Sequence, residues 1–180
     1  MIKINMGCGW RNFGKEWVHI DGGNYDHLDY GSITDLSDFE DNSVDLIYSS
    51  HVIGYFDRDS VKGLLLEWKR ILKKDGILRI AIPDFCAMAS LYLKENISID
   101  KFLGPLYGKM EMKDATIYHK TCYDLKSLSF LLTELGFRDI LLYDWKKTSH
   151  SHFDDHSQAY IPHMDKENGT LISLNVECKK

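Results

Sequence analysis

Apolar positions along the chain fall into short runs of period two and longer stretches with a period near 3.6, and the two kinds alternate. Ile2–Met6 and Trp17–Asp21 read as strands, with a fainter strand signal at His27–Tyr30. Val44–Tyr48 is a fourth strand, entered from the turn-rich Glu40-Asp41-Asn42-Ser43. Asp59 can then cap a helix that carries Val61, Leu64, Leu65, Trp68, Ile71 and Leu72 on one face. Lys73 and Lys74 suit its C-terminal end, and Gly76 its stop. Ile77–Ile82 is an apolar strand closed by Pro83. Asp84 can cap a helix through Ala87, Met88 and Leu91. Asp124 can cap another, with Leu128, Leu131, Leu132 and Leu135 on one face and Gly136 as its end. Asp139–Tyr143 and Leu171–Glu177 are the last two strands.

This alternation predicts an α/β fold: a doubly wound, Rossmann-like, mostly parallel sheet with helices on both faces. The last two strands are joined by a long connection with no helical pattern, which predicts an antiparallel strand at one edge. No linker, repeat or break in composition divides the chain, so residues 1–180 read as one domain. The polar, His-rich stretch Ser149–Gly169 is too long for a simple turn and is expected to be an ordered or functional surface loop.

The chemistry concentrates in the first crossover. In open α/β sheets ligands sit beyond the carboxyl ends of the strands. Gly7 and Gly9 follow the first strand and Asp21 closes the second, so all three belong to that edge. Glycine allows close backbone approach to a ligand, and a carboxylate can accept two hydrogen bonds from a ribose diol. A dinucleotide site would need a third glycine, a helix N-terminus for the pyrophosphate, and its acid about twenty residues on. Here Asp21 comes fourteen positions after Gly7, and only ten residues separate the two strands. A shortened crossover of that length has no room for a full helix. The expected ligand is therefore a nucleoside without a pyrophosphate, and S-adenosylmethionine fits.

Composition narrows the setting. The formal net charge is −5, which speaks against a nucleic-acid binder. Cys8, Cys86, Cys122 and Cys178 are scattered, form no C-x-x-C pair and mostly sit in apolar stretches, so a reducing, cytoplasmic location is expected. The N-terminus enters a strand at once, no secretory h-region is visible, and no apolar run is long enough to span a membrane.

Three segments, in order, carry a resemblance. I-N-M-G-C-G is similar to the first motif of class I S-adenosylmethionine-dependent methyltransferases. D-L-S-D-F-E-D-N-S-V-D-L-I-Y-S-S-H-V-I resembles their fourth-strand region, and L-L-L-E-W-K-R-I-L-K-K-D-G-I-L-R-I-A-I-P-D-F the helix and strand that follow. The compact crossover and the tail from His156 to Lys179 resemble a small branch associated with bacterial surface-glycan or nucleotide-sugar pathways. The resemblance implies methyl transfer to a small-molecule acceptor, with a sugar or nucleotide-sugar hydroxyl or amine favoured and S-adenosylhomocysteine as product. Asn5, Met6, Gly7, Cys8 and Gly9 would form the turn under the methionine portion, and Asp21 would hold the ribose. Ile33 and Asp35 would lie near the adenine, and Ser49, Ser50 and His51 would border the methyl group. This chain has Gly54-Tyr55 where such proteins often have Glu-His, and it starts directly at the first strand. The cover over the cofactor would then come from the late loop or another subunit, which leans toward a homodimer. A binding or regulatory module that keeps the fold without the activity is the alternative, and a nicotinamide-dependent oxidoreductase is a third reading.

A hydroxyl acceptor needs a base, and histidine is the usual one. In the resembling proteins a histidine often stands where His119 does, facing the acceptor, so His119 is the candidate; a solvated loop histidine is the plainer reading. Asp84 is more simply a helix cap than an acceptor contact. The run His150-Ser151-His152-Phe153-Asp154-Asp155-His156 is read as a polar loop in preference to a metal site, with Tyr160 or His163 as candidate acceptor contacts. Tyr55, Phe56 and Trp145 are expected in the core, and the Lys69-Arg70 pair on a solvated helix face.

Overall fold

The described residues of the computed structural model are 1–112 and 115–180. The elements in chain order are β1 (Lys3–Met6), β2 (Val18–Ile20), β3 (Val44–Ser50), α1 (Ser60–Ile71), β4 (Leu72–Pro83), α2 (Phe85–Glu95), α3 (Asp100–Tyr107), β5 (Met110–Glu111), β6 (Thr116–Ile117), α4 (Leu125–Glu134), β7 (Arg138–Leu142), β8 (Tyr160–Ile161), β9 (Thr170–Leu171) and β10 (Ser173–Lys179). Short 3-10 segments occur at Ile53–Tyr55, Trp145–Lys147 and His156–Gln158. The main sheet runs β2-β1-β3-β4-β10-β7. β2, β1, β3 and β4 are mutually parallel, and β10 is antiparallel to both of its neighbours. The antiparallel strand thus lies one place in from the edge, not at it. After β7 takes the edge, the chain returns from the opposite direction and fills the gap beside β4. His27–Tyr30 makes only an isolated bridge, Tyr30 to Ile20.

One face of the sheet is covered by helices. Val61, Leu64, Leu65, Trp68 and Ile71 of α1 and Leu128, Leu131 and Leu132 of α4 share a core with Ile4, Met6, Ile20 and Ile47. Among the described residues, no helix contributes to the cluster against Leu46 and Tyr48 on the other face of β3. That face is covered by an aromatic cluster of Phe13, Trp17 and Tyr48, with Phe153 packed against it. Phe13 stacks on Phe153 at 4.5 Å between centroids and on His150 at 5.5 Å. The short crossover supplies Phe13 and Trp17 in place of helix residues. Below the cluster, Tyr48 donates to Asp155, whose other oxygen accepts from Ser157 N at 2.8 Å. α2 and α3 pack with Ile161 and Ile172 as a smaller cluster.

Helix ends follow the sequence in part. Asp84 accepts from the Cys86 and Ala87 amides, and Asp124 forms a reciprocal capping box with Ser127. Gly136, at φ +75, closes α4 in a Schellman arrangement, with Phe137 N donating to Leu132 O at 3.0 Å and Gly136 N to Thr133 O at 2.9 Å. At α1 the capping acid is Asp57, which accepts from Ser60 N at 2.8 Å; the Asp59 side chain makes no cap bond. Gly76 is not the helix stop, because Leu72 already pairs with Val44 and residues 73–76 form an irregularity inside β4. The C-terminal carbonyls of α1 are met by Lys180, which bonds Arg70 O and Leu72 O, and not by Lys73 or Lys74. Lys69 and Arg70 are not a solvated pair either. Lys69 caps α4 through Leu135 O and Gly136 O, and Arg70 ties Phe39 O and Leu36 O to the helix. Of the cysteines, Cys8 and Cys178 are buried while Cys86 and Cys122 are exposed. Among the described residues no helix is long and apolar enough to cross a membrane.

Candidate active site

A cavity of about 660 Å³ opens where β1, β2 and β3 end. Its floor is the first loop. Gly7, at φ +70, donates its N–H to Ile20 O at 2.7 Å. A Cβ at this position would come within 2.2 Å of Val52 Cγ2. Gly9 is also left-handed (φ +57), but a Cβ there would meet nothing within 4 Å, so the space before it is open. Asp21 clasps the two loops together: one oxygen accepts from Gly9 N at 2.8 Å and the other from Gly23 N at 2.7 Å. A carboxylate offers about four lone-pair sites, so each oxygen retains one for a ligand hydroxyl. Ile33 is held at the wall because its carbonyl accepts from the buried Trp68 Nε1 at 3.1 Å.

Of the residues expected at the cofactor, Gly7, Gly9, Asp21, Ile33, Ser50 and His51 line the cavity. Asn5, Met6, Cys8 and Ser49 are buried and do not line it. Burial, with Asp21 second, pushes the Cys8 thiol up to about 12, which leaves it inert. Asp35 stands outside the cavity, exposed, and its carboxylate accepts from Ser37 N at 3.2 Å in a local turn.

Three histidines share the cavity. His51, at φ +58, lies 4.7 Å from His156 and 6.3 Å from His119, measured between ring centroids. His119 lies within 3.1 Å of Pro105 O through Nδ1. A carbonyl only accepts, so Nδ1 carries the proton and Nε2 keeps its lone pair. The Nε2 atoms of His51 and His119 are buried without a protein partner, as is the Ser50 hydroxyl. Burial holds His51 well below the usual imidazole value, helped by the nearby His156, His119 and Arg11 charges. Burial also lowers His119, against the pull of the Pro105 carbonyl, and lowers His156, with Arg11 next in effect. All three are therefore neutral at pH 7.

Gly54 and Tyr55, the departure from the resembling sequences, build the seat of His119. A Cβ at Gly54 would stand 3.0 Å from His119 Cδ2, and one at Gly108 2.4 Å from its Cε1. The Tyr55 ring meets His119 edge-on at 4.6 Å, and its hydroxyl donates to Gly108 O at 2.7 Å. Tyr55 and Phe56 line the cavity, Phe56 also packing against the main core, and Trp145 is buried.

The His-rich run is divided. His150 packs into the aromatic cluster, His152 is exposed and His156 reaches the cavity. Among the described residues no group of three or more His, Cys, Asp or Glu could hold a metal. Tyr160 and His163 do not line the cavity; the Tyr160 hydroxyl instead accepts from Trp145 Nε1 at 3.3 Å. Sequence reading missed Trp10, Arg11, Tyr25, His156 and the β5–β6 hairpin, whose Met110, Met112, Thr116, Ile117 and Tyr118 form a wall. The Thr116-Ile117-Tyr118 run is β-prone and could have signalled that hairpin.

Residues 7–80 match a family described as a methyltransferase domain. No curated protein sequence matches the chain. Among solved structures, the chain is similar to an S-adenosylmethionine-dependent methyltransferase from Archaeoglobus fulgidus, with TM-score 0.59 and 17% identity over 99% of this chain and 86% of that one. A methyltransferase from Methanosarcina mazei of the same dependence gives 0.56 and 16%, over 99% and 92%. The 1,6-didemethyltoxoflavin-N1-methyltransferase of Burkholderia thailandensis, solved with S-adenosylhomocysteine, gives 0.56 and 10%, over 99% and 70%. The fold is thus the one such methyltransferases use.

Proposed function

We propose that the protein transfers the methyl group of S-adenosylmethionine to a small molecule that presents an O–H or N–H to His119. One observation supports this reading: Gly9 and Asp21 of the clasp line the same cavity as the His119 side chain, whose buried Nε2 has no protein partner among the described residues. The cradle suits a nucleoside, since Asp21 keeps acceptor capacity for a diol and, among the described residues, no helix N-terminus follows the Gly7–Gly9 turn to hold a diphosphate. The cofactor supplies an electrophilic methyl on sulfur, and the chain positions the acceptor and takes its proton. His119 Nε2 is the proton acceptor. Its Nδ1 anchor to Pro105 O and the Tyr55 and Gly108 contacts fix the ring.

A sugar or nucleotide-sugar hydroxyl or amine is the acceptor that fits the resemblance to the glycan-linked branch. We propose residues 1–180 as one catalytic domain, cytoplasmic and acting as a homodimer. The free thiols favour the first setting, and the exposed Leu141 and Leu142 on edge strand β7 offer a seam for the second. One ground for the non-catalytic alternative was Gly54-Tyr55, and those two residues pack against His119.

Calorimetry with S-adenosylhomocysteine and, separately, NADH should show binding of the former alone. Asp21→Ala is expected to cost about 1.5–3 kcal/mol of that affinity, the range for a charged hydrogen bond; an unchanged affinity would move the ribose site elsewhere. His119→Ala should lower turnover by roughly 10²–10⁴-fold. Because His119 acts when neutral and its pKa is lowered, wild-type turnover should persist below pH 6.5 before its acid limb falls. A variant with the same rate and limb would exclude His119 as the base.

A further inference from the structure

Arg11 is built into the cavity wall and is not used there by the protein itself. Its Nε donates to Asp154 O at 2.9 Å, and the guanidinium lies 4.7 Å from the centroid of the Trp10 ring. Its two terminal nitrogens have no protein acceptor among the described residues. The other four arginines each place a terminal nitrogen on an acceptor: Arg58 on Cys122 O, Arg70 on Glu67, Arg79 on Glu177 and Arg138 on Asp75. Lys120 is the second cation lining the cavity and forms no ion pair among the described residues. Among the described residues Asp21 is the only carboxylate in that lining, and both its oxygens already accept backbone amides. The three histidines add no negative charge. In a chain of net charge −5, the described lining of this cavity is net positive. S-adenosylmethionine would add a further formal positive charge.

We propose that the methyl acceptor carries an oxyanion, phosphoryl or carboxylate, received by the terminal N–H fork of Arg11 with Lys120 as the supporting cation. This rests on the methyltransferase reading and selects within it: charged acceptors such as sugar phosphates or nucleotide sugars are favoured over neutral sugars. A guanidinium binds oxyanions through two parallel hydrogen bonds. Here the Trp10 stack and the Asp154 carbonyl hold it in place beforehand, so little side-chain freedom is lost on binding. The short first crossover is what makes this possible, since it delivers Arg11 to the cavity where a full helix would have carried the chain away.

The experiment uses protein saturated with S-adenosylhomocysteine, titrated calorimetrically with pyrophosphate and, separately, malonate. Saturable binding of one or both is expected, and the stronger arm identifies the oxyanion. Arg11→Gln should weaken it about tenfold to a hundredfold, the span of a charge-assisted bond. Arg11→Lys, which keeps the charge but not the fork, should fall between. Affinity for S-adenosylhomocysteine should stay within about twofold in both variants. Equal probe binding in Arg11→Gln and wild type, or no binding of either probe, would overturn the inference while leaving the methyltransferase reading intact. A loss of S-adenosylhomocysteine affinity in Arg11→Gln would overturn it too, by giving the guanidinium to the cofactor. Failure of wild type to bind S-adenosylhomocysteine would remove both.

Discussion

Gly9→Ala should abolish tight S-adenosylhomocysteine binding and leave the fold nearly intact, whereas Gly7→Ala should damage the fold itself. Both positions are left-handed, at φ +57 and +70, so each alanine costs about 1–2 kcal/mol of backbone strain. They differ in what the new methyl meets. At Gly9 it meets nothing within 4 Å and projects into the cavity, where a ligand must come close to the backbone. At Gly7 it would lie 2.2 Å from Val52 Cγ2, and Val52 is itself packed into the main core. Overpacking of that kind adds about 1–3 kcal/mol, so the Gly7 variant should lose roughly twice the stability of the Gly9 variant or more. Urea unfolding ranks the stabilities and calorimetry the affinities. Val52→Ala in the Gly7→Ala background should restore part of the lost stability, since it removes the 2.2 Å clash with Cγ2 and leaves the strain and a 3.3 Å approach to Val52 Cβ. Equal unfolding midpoints for the two single variants would show that the loop yields at Val52. Unchanged affinity in Gly9→Ala would show that the ligand does not approach there.

The sequence exposed the parts of the fold that local rules govern. The period-two runs around Ile4, Ile47 and Ile80 became strands, and the apolar face of α1 lies buried as its spacing required. Asp84, Asp124 and Gly136 end their helices as their chemistry dictates. What stayed hidden depends on distance along the chain. Nothing near Lys69 indicates that it caps α4, since its partners Leu135 and Gly136 are sixty-six and sixty-seven residues away. The place of β10 between β4 and β7 is set by the return of a long connection, which has no periodicity to read.

The same division holds at the site. Gly7, Gly9 and Asp21 were legible because a glycine turn and a strand-end acid are local signatures. His156 and Arg11 were not, because only the folded path of residues 149–158 brings His156 to the cavity and sets Asp154 O against Arg11. Asp35 shows the converse: it was expected near the adenine with Ile33, but only Ile33 lines the cavity, and the Asp35 carboxylate accepts from Ser37 N. Gly54-Tyr55 looked like a loss measured against the resembling sequences. In the fold it is the clearance His119 requires, so a difference in sequence became a condition of the site.

Lowering the pH from 6.5 toward 4 should unfold the protein, and the histidines are the reason. His19, His51, His119, His150 and His156 all have values below the ordinary imidazole, in each case with burial as the leading cause. His150 is lowered to about 4. It sits among Phe13, Trp17 and Tyr48, with Arg79 Nη1 3.3 Å from its Nε2; Arg79, His152 and Lys3 oppose its protonation and Asp155 favours it. His19 must likewise stay neutral, because its Nε2 accepts from Phe13 N at 2.8 Å and so anchors the short crossover. In the unfolded chain these side chains titrate near pH 6.5. Between that value and the lower folded ones the unfolded state binds more protons, so stability falls as pH drops; above about 6.5 these groups contribute no slope. For His150 alone the loss by pH 4 is on the order of 3 kcal/mol, a large share of the roughly 5–15 kcal/mol that holds a domain together. His150→Phe keeps a ring against Phe13 and cannot be protonated. Urea unfolding between pH 8 and pH 4 should therefore show a shallower acid loss in the variant than in wild type, with the two curves separating only below about pH 6.5. Parallel curves across that range would mean that His150 is not the group whose protonation opens the aromatic face.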